Sequence, residues 1–115
     1  MQDVKALVRI PMDFAQGGRS VVDLFEAAAP DLGDIKDLRT RIHDELAADP
    51  QLLEAWQTYS YDKRGTPSPY LDGLEVGFFD RSRQDVVSYD NSVDACSDYI
   101  CREAESVLQP GPRSS

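Results

Sequence analysis

The amino-acid sequence predicts an α+β fold, with a small antiparallel sheet of about three strands and helices packed on one face. Three patterns predict it: apolar residues at helical spacing near the end of the chain, period-two alternation around 74–79, and capped helical stripes over 20–61. A chain of 115 residues is one domain by length. We expect a single domain over 1–108, in the order β-α-α-α-β-β-α, and a disordered tail over 109–115.

The first strand is predicted over Val4–Ile10, because apolar residues there alternate with Lys5 and Arg9. Pro11 is expected to end this strand, since proline has no backbone N–H for a sheet hydrogen bond. A helix is the alternative for the same segment.

Three helices are predicted between residues 20 and 65. Each begins at a residue whose side chain can accept a backbone N–H, and each carries apolar residues three and four positions apart. The expected caps are Ser20, Asp34 and Asp49, and the third helix is expected to fade by Lys63 or Gly65.

A hairpin and a last helix complete the predicted fold. The loop Gly65–Pro69 precedes a strand over Tyr70–Phe79, and a polar turn, Asp80–Asp85, leads to a return strand over Val86–Tyr89. The residues Asp90 to Ser92 then cap a helix whose apolar face holds Val93, Cys96, Ile100, Ala104 and Val107.

The composition describes an acidic chain. Its 21 acids outnumber its 12 bases, which gives a net charge of −9. Nucleic-acid binding is therefore not expected, because phosphate contacts need clustered lysine and arginine. No apolar run is long enough to span a membrane, and the short stretch Ala6–Met12, which Arg9 interrupts, does not resemble a signal peptide. We expect a cytoplasmic protein.

Cysteine and histidine are scarce. Cys96 and Cys101 lie five residues apart on one predicted helix and point in different directions, so we expect free thiols. His43 is the only histidine, and two cysteines with one histidine do not make a metal site. No cofactor is expected.

Aromatic residues are concentrated in one stretch, which holds six of the ten within 24 positions. Aromatic side chains bring large apolar area, so the stretch is either the centre of the core or a contact surface. Arg64 follows it closely, and arginine beside tyrosine is common at binding sites. The candidate binding residues of this stretch are Trp56, Tyr59, Tyr61, Arg64 and Tyr70.

A second candidate surface is the acidic stripe of the last helix. Asp94, Asp98 and Glu105 lie within a narrow angle, away from its apolar face. They are predicted to be solvated, and their functional interpretation is a patch that docks on a basic protein.

These features favour a binding protein over an enzyme, because no nucleophile, base and orienting group stand at a recognisable spacing. Small acidic inhibitors, such as bacterial immunity proteins for nuclease toxins, share this size and charge, which is an analogy of class and not a family match. We therefore expect a module that neutralises or escorts a basic protein. The alternative is a regulatory domain that binds a small anion through Arg64, Tyr61 and Tyr70, or through the Gly17–Ser20 turn. Exposed aromatics or a hairpin edge could also pair two copies as a homodimer.

Overall fold

The computed structural model describes residues 4–62 and 68–108. Over these residues the chain forms five helices, a three-stranded sheet and a final helix. The elements are α1 (Val4–Val8), α2 (Ile10–Ala15), α3 (Val21–Ala28), α4 (Ile35–Ala48), α5 (Gln51–Asp62), β1 (Ser68–Asp72), β2 (Glu75–Asp80), β3 (Ser82–Ser88) and α6 (Ser92–Leu108). The α+β class and its antiparallel sheet are confirmed.

The predicted first strand is wrong, because residues 4–10 form α1 and the start of α2. Leu7 shows why: strand alternation would place it with the exposed Lys5 and Arg9, yet it is fully buried. Helical spacing instead buries Leu7 and Val8 together on one side. Pro11 does not stop this segment, since it lies in the first turn of α2, where its missing N–H has no helical partner to lose.

The three helices predicted between residues 20 and 65 are confirmed as α3, α4 and α5. The Ser20 side chain accepts the N–H of Asp23 at the start of α3, and the Asp34 side chain accepts the N–H of Asp37 at the start of α4. Helix α5 begins at Gln51, whose N–H is donated to the Asp49 side chain. The predicted tail over 109–115 and part of the predicted loop, 65–67, lie outside the described residues.

The sheet is a meander in the order β1-β2-β3. The predicted single strand over Tyr70–Phe79 is therefore wrong: it is two strands, which turn at Gly73, a residue with a φ of 63°. Ser68 and Pro69, placed in a loop by the sequence, belong to β1. The polar turn is also shorter than predicted, because β3 already begins at Ser82.

A bulge interrupts β3. Val76 pairs with Val87, but Phe78 pairs with Gln84, so Asp85 and Val86 together oppose the single residue between Val76 and Phe78. Asp85 has a φ of 52°, the left-handed conformation that many bulges require. Bulges twist an edge strand and make it a poor template for another strand.

The core lies between the helices and one face of the sheet. Helices α5 and α6 pack against β1, and α6 also packs against α4. Leu71 and Val76 are cross-strand partners, and both belong to the buried apolar cluster, so they mark the inner face of the sheet. Successive strand residues alternate in direction, so Tyr70 and Glu75 lie on the outer face.

Candidate binding surfaces

Two of the three α5 aromatics in the candidate stretch, Trp56 and Tyr59, lie in the core. Trp56 is fully buried, and its ring stands 5.2 Å from that of Tyr59, 6.0 Å from Tyr99 and 6.5 Å from Phe25. Its indole Nε1 donates a 2.9 Å hydrogen bond to the carbonyl of Val8, at the break between α1 and α2. The sequence left open whether this stretch forms the core or a contact surface. Trp56 and Tyr59 are core residues.

The remaining candidates of this stretch are separated by the structure. Tyr61 is 67% exposed at the end of α5, and Tyr70 is buried on the outer face of the sheet. Arg64 lies outside the described residues. The Tyr70 hydroxyl is already donated to Glu75, so the proposed anion site built on Tyr70 has lost one of its donors.

A buried polar pair accompanies the core aromatics. The Tyr59 hydroxyl donates a 2.7 Å hydrogen bond to Glu103 of α6, which is fully buried. Burial raises the pKa of Tyr59, and the neighbouring Glu103 carboxylate raises it further. The pKa of Tyr99 is raised for the same two reasons. Nothing in the local sequence pattern singles out Glu103, since its partner is 44 positions away.

The raised tyrosine pKa values predict a loss of stability in alkali. Burial is the main cause at Tyr59, Tyr70, Tyr89 and Tyr99, and the pKa of Tyr70 reaches about 12 against an ordinary value of 10.0. A raised folded pKa means that the stabilisation is complete below pH 10 and is lost as the pH rises through the folded values. We expect the urea midpoint, followed by circular dichroism, to fall from about pH 10 upwards. A midpoint that stays constant up to pH 12 would contradict these environments.

The outer face of the sheet is held together by an ionic cluster. Arg83 of β3 donates to Glu75 at 2.5 Å and to Asp72 at 3.0 Å, so it links all three strands. Its guanidinium lies over the Tyr70 ring, 5.1 Å from the centroid. Hydrogen bonds from Tyr70 and Arg83 lower the pKa of Glu75. The sequence analysis predicted a polar turn at Arg83 and missed this role, because apolar and polar residues do not alternate regularly along β3.

Apolar side chains are exposed around the same hairpin. Seven large hydrophobic residues are exposed in the described chain, and four of them lie between residues 74 and 87. These four, which we call the hairpin surface, are Leu74, Phe79, Val86 and Val87, each 39–45% exposed. All seven residues of β3 are exposed. The sequence pattern does not reveal this surface, because its members come from β2, from β3 and from the turn before them.

The predicted acidic stripe of α6 is not a continuous solvated surface. Asp94 is partly exposed and Glu105 is exposed, but Asp98, between them, is only 9% exposed. The prediction of a solvated Asp98 is wrong, because it accepts a 2.6 Å hydrogen bond from the Tyr89 hydroxyl and one of 3.1 Å from Arg102. A helical wheel cannot show this, since Tyr89 precedes the helix.

Acidic residues occur in every described element except α1. The negative charge is therefore spread over the molecule and not collected on one helix face. A charged partner would respond to the net charge as a long-range attraction, while the place of contact is decided by other features.

A pocket of about 330 Å³, lined by polar and charged residues, lies between α4 and α6. Its walls include Lys36, Arg39, Thr40 and His43 of α4 and Asp94 of α6. His43 Nε2 stands 3.1 Å from the Asp94 Oδ1. Sequence reasoning did not pair His43 with Asp94, because the two residues lie on different helices.

Two other surfaces have less chemistry. The Gly17–Ser20 turn has Ser20 occupied as a helix cap, and Arg19 donates to the backbone carbonyl of Asp23 at 3.4 Å. An apolar groove of about 670 Å³ lies between α2, α3 and α5, with Met12, Phe14 and Val21 among its lining residues. The shape and the apolar lining of this groove do not by themselves specify a ligand.

Within residues 4–62 and 68–108, no three histidine, cysteine or acidic side chains form a group that could hold a metal ion. None of the helices described in those ranges is both long and apolar enough to cross a bilayer. No protein-family model matches the chain, and neither curated proteins nor solved structures give a match.

Proposed function

We propose that this chain is a non-enzymatic protein-binding module that contacts a basic protein through the hairpin surface. The observation that carries the proposal is the exposure of β3 along its whole length, together with the exposed apolar residues beside it. Large apolar side chains exposed on neighbouring elements are typical of interaction sites. Phe79 is the aromatic member of this surface and is therefore its expected anchor.

Charge selects the partner. Exposed acids lie close in sequence to the hairpin surface, at Asp80, Asp85 and Asp90, and binding interfaces commonly combine apolar residues with charged neighbours. Arg83 does not offset them, because it is engaged with Glu75 and Asp72. A net charge of −9 would also speed the approach of a basic protein.

The contact is made by side chains and not by strand addition. The bulge at Asp85 disrupts the outer edge of β3, and Arg102 of α6 donates to the Asp85 carbonyl at 3.1 Å. A partner is therefore contacted through the exposed side chains of the hairpin. Such a contact suits neutralisation or escort of the basic protein, since it covers part of the partner's surface without a catalytic step.

The two free thiols support a proposal about the compartment. Cys96 and Cys101 are both buried and free on α6, and we propose that the protein works in the reducing cytoplasm. Burial raises the pKa of Cys101 to about 12, which keeps this thiol protonated and unreactive.

The proposal is tested by capture from a host lysate with the tagged protein and a double variant, Phe79→Ser with Val86→Ser. We expect a basic protein that is retained at low salt and released at high salt, and whose affinity falls at least about tenfold in the variant. Val22→Ser is the matched control, because Val22 is exposed to a similar extent on α3. It should retain the partner.

Three outcomes would contradict the proposal. One is capture of an acidic protein, and another is equal loss of binding in the hairpin variant and in the Val22→Ser control. The third is self-association of the wild type, measured by light scattering, that the hairpin variant abolishes. That result would assign the surface to a second copy of this chain.

A further inference from the structure

We infer that the pocket between α4 and α6 binds a small phosphate monoester that also carries a hydroxyl group. Lys36, Arg39 and His43 lie at helical spacing on α4 and share this pocket. Such a gathering of nitrogen-bearing side chains on one face stands out in a chain with a net charge of −9. The pocket does not include any member of the hairpin surface, so the inference is independent of the proposed protein contact.

Arg39 is held in place before any ligand arrives. Its Nη2 donates a 2.8 Å hydrogen bond to the Tyr89 hydroxyl, and its guanidinium lies over the Tyr89 ring, 5.2 Å from the centroid. Tyr89 is fixed in turn by its hydrogen bond to Asp98. The bond to Tyr89 engages one of the five guanidinium N–H donors. A cation that is already ordered loses less entropy when it binds an anion, and the guanidinium fork matches phosphate geometry.

The opposite wall supplies hydrogen-bond acceptors. Asp94 Oδ1 faces His43 at 3.1 Å, and Asp94 Oδ2 accepts from Asn91 at 2.9 Å. The Thr40 hydroxyl donates to the Lys36 carbonyl, so its oxygen is left to accept. A ligand that fits both walls therefore presents an anionic group to Lys36 and Arg39 and a hydroxyl donor to Thr40 or Asp94.

The volume limits the ligand. An open pocket of about 330 Å³ is at the small end of the range found for ligand sites, so a short phosphorylated polyol would fill it. Two cations favour a dianionic phosphate over a single carboxylate, because each adds to the attraction.

The test is a titration of the isotope-labelled protein with glycerol 3-phosphate, followed by amide chemical shifts. We expect saturable shifts centred on residues 36–43 and 91–97, weaker binding of inorganic phosphate, and no binding of glycerol. Lys36→Gln should weaken the affinity about tenfold, since a charged hydrogen bond is lost. Arg41→Gln is the matched control, because Arg41 is on the same helix and pairs with Asp37 outside the pocket. Its affinity should stay within about twofold of the wild type.

Equal weakening by Lys36→Gln and Arg41→Gln would overturn the inference, because it would show attraction to the helix as a whole. Shifts centred on Gly17–Ser20 or on the hairpin would also overturn it. So would equal affinity for glycerol 3-phosphate and inorganic phosphate, which would remove the role of the hydroxyl group.

Discussion

Trp56→Ala is expected to lower the free energy of unfolding by about 3–5 kcal/mol, a large part of the stability of a small domain. The indole is fully buried among the rings of Phe25, Tyr59 and Tyr99, so its removal leaves a cavity that the helices cannot close. The substitution also deletes the hydrogen bond to the Val8 carbonyl. Urea unfolding followed by circular dichroism measures the loss.

Trp56→Phe separates the two contributions. It keeps most of the buried ring and removes the indole N–H, so a loss of about 1–3 kcal/mol is expected from the buried Val8 carbonyl and the smaller ring. Tyr61→Ala is the control on the same helix, since its side chain is 67% exposed, and it should change stability by less than about 0.5 kcal/mol. A loss below about 1 kcal/mol for Trp56→Ala would show that the indole is not a core residue.

Gly77→Ala is expected to destabilise the sheet by about 1–3 kcal/mol. A Cβ at this position would lie 2.8 Å from a ring carbon of Tyr70 and 2.9 Å from the backbone oxygen of Gln84. Tyr70 is the cross-strand partner of Gly77 and covers it on the outer face. The backbone oxygen cannot rotate away as a side chain can, so the strands must separate.

Gly33→Ala provides the matched control. Its Cβ would meet only the end of the Asp31 side chain, at 3.3 Å, so the change in stability should be small. In the double variant with Tyr70→Ala, the cost of Gly77→Ala should shrink by about 1 kcal/mol, because the ring contact is gone while the Gln84 contact remains. Additive effects would contradict the packing of Tyr70 on Gly77.

The helices were predictable because their signals are local. Ser20, Asp34 and Asp49 mark helix starts within a few residues of the N–H groups that they accept, and apolar spacing identifies the buried side. The strand prediction for residues 4–10 was wrong for a physical reason. A short apolar run fits both periods, and only the burial of Leu7 against distant helices decides between them.

The sheet and the candidate sites depend on contacts that a local pattern does not contain. The run from Tyr70 to Phe79 hides a turn at Gly73, since one glycine within apolar residues marks a bulge or a turn equally well. Asp98 lies on the polar side of α6 in a helical wheel, yet it is buried, because Tyr89 and Arg102 hydrogen-bond to it. His43 and Asp94 are in contact although 51 positions separate them in the sequence. The helical spacing of α4 and that of α6 therefore could not predict the pocket between the two helices.

Backbone hydrogen exchange of the protein, alone and in complex with the captured basic protein, tests the central claim most directly. The proposed contact predicts slower exchange over Glu75–Ser88 in the complex and unchanged exchange in α3 and α4. Slower exchange confined to α3 and α4, with an unaffected hairpin, would contradict it.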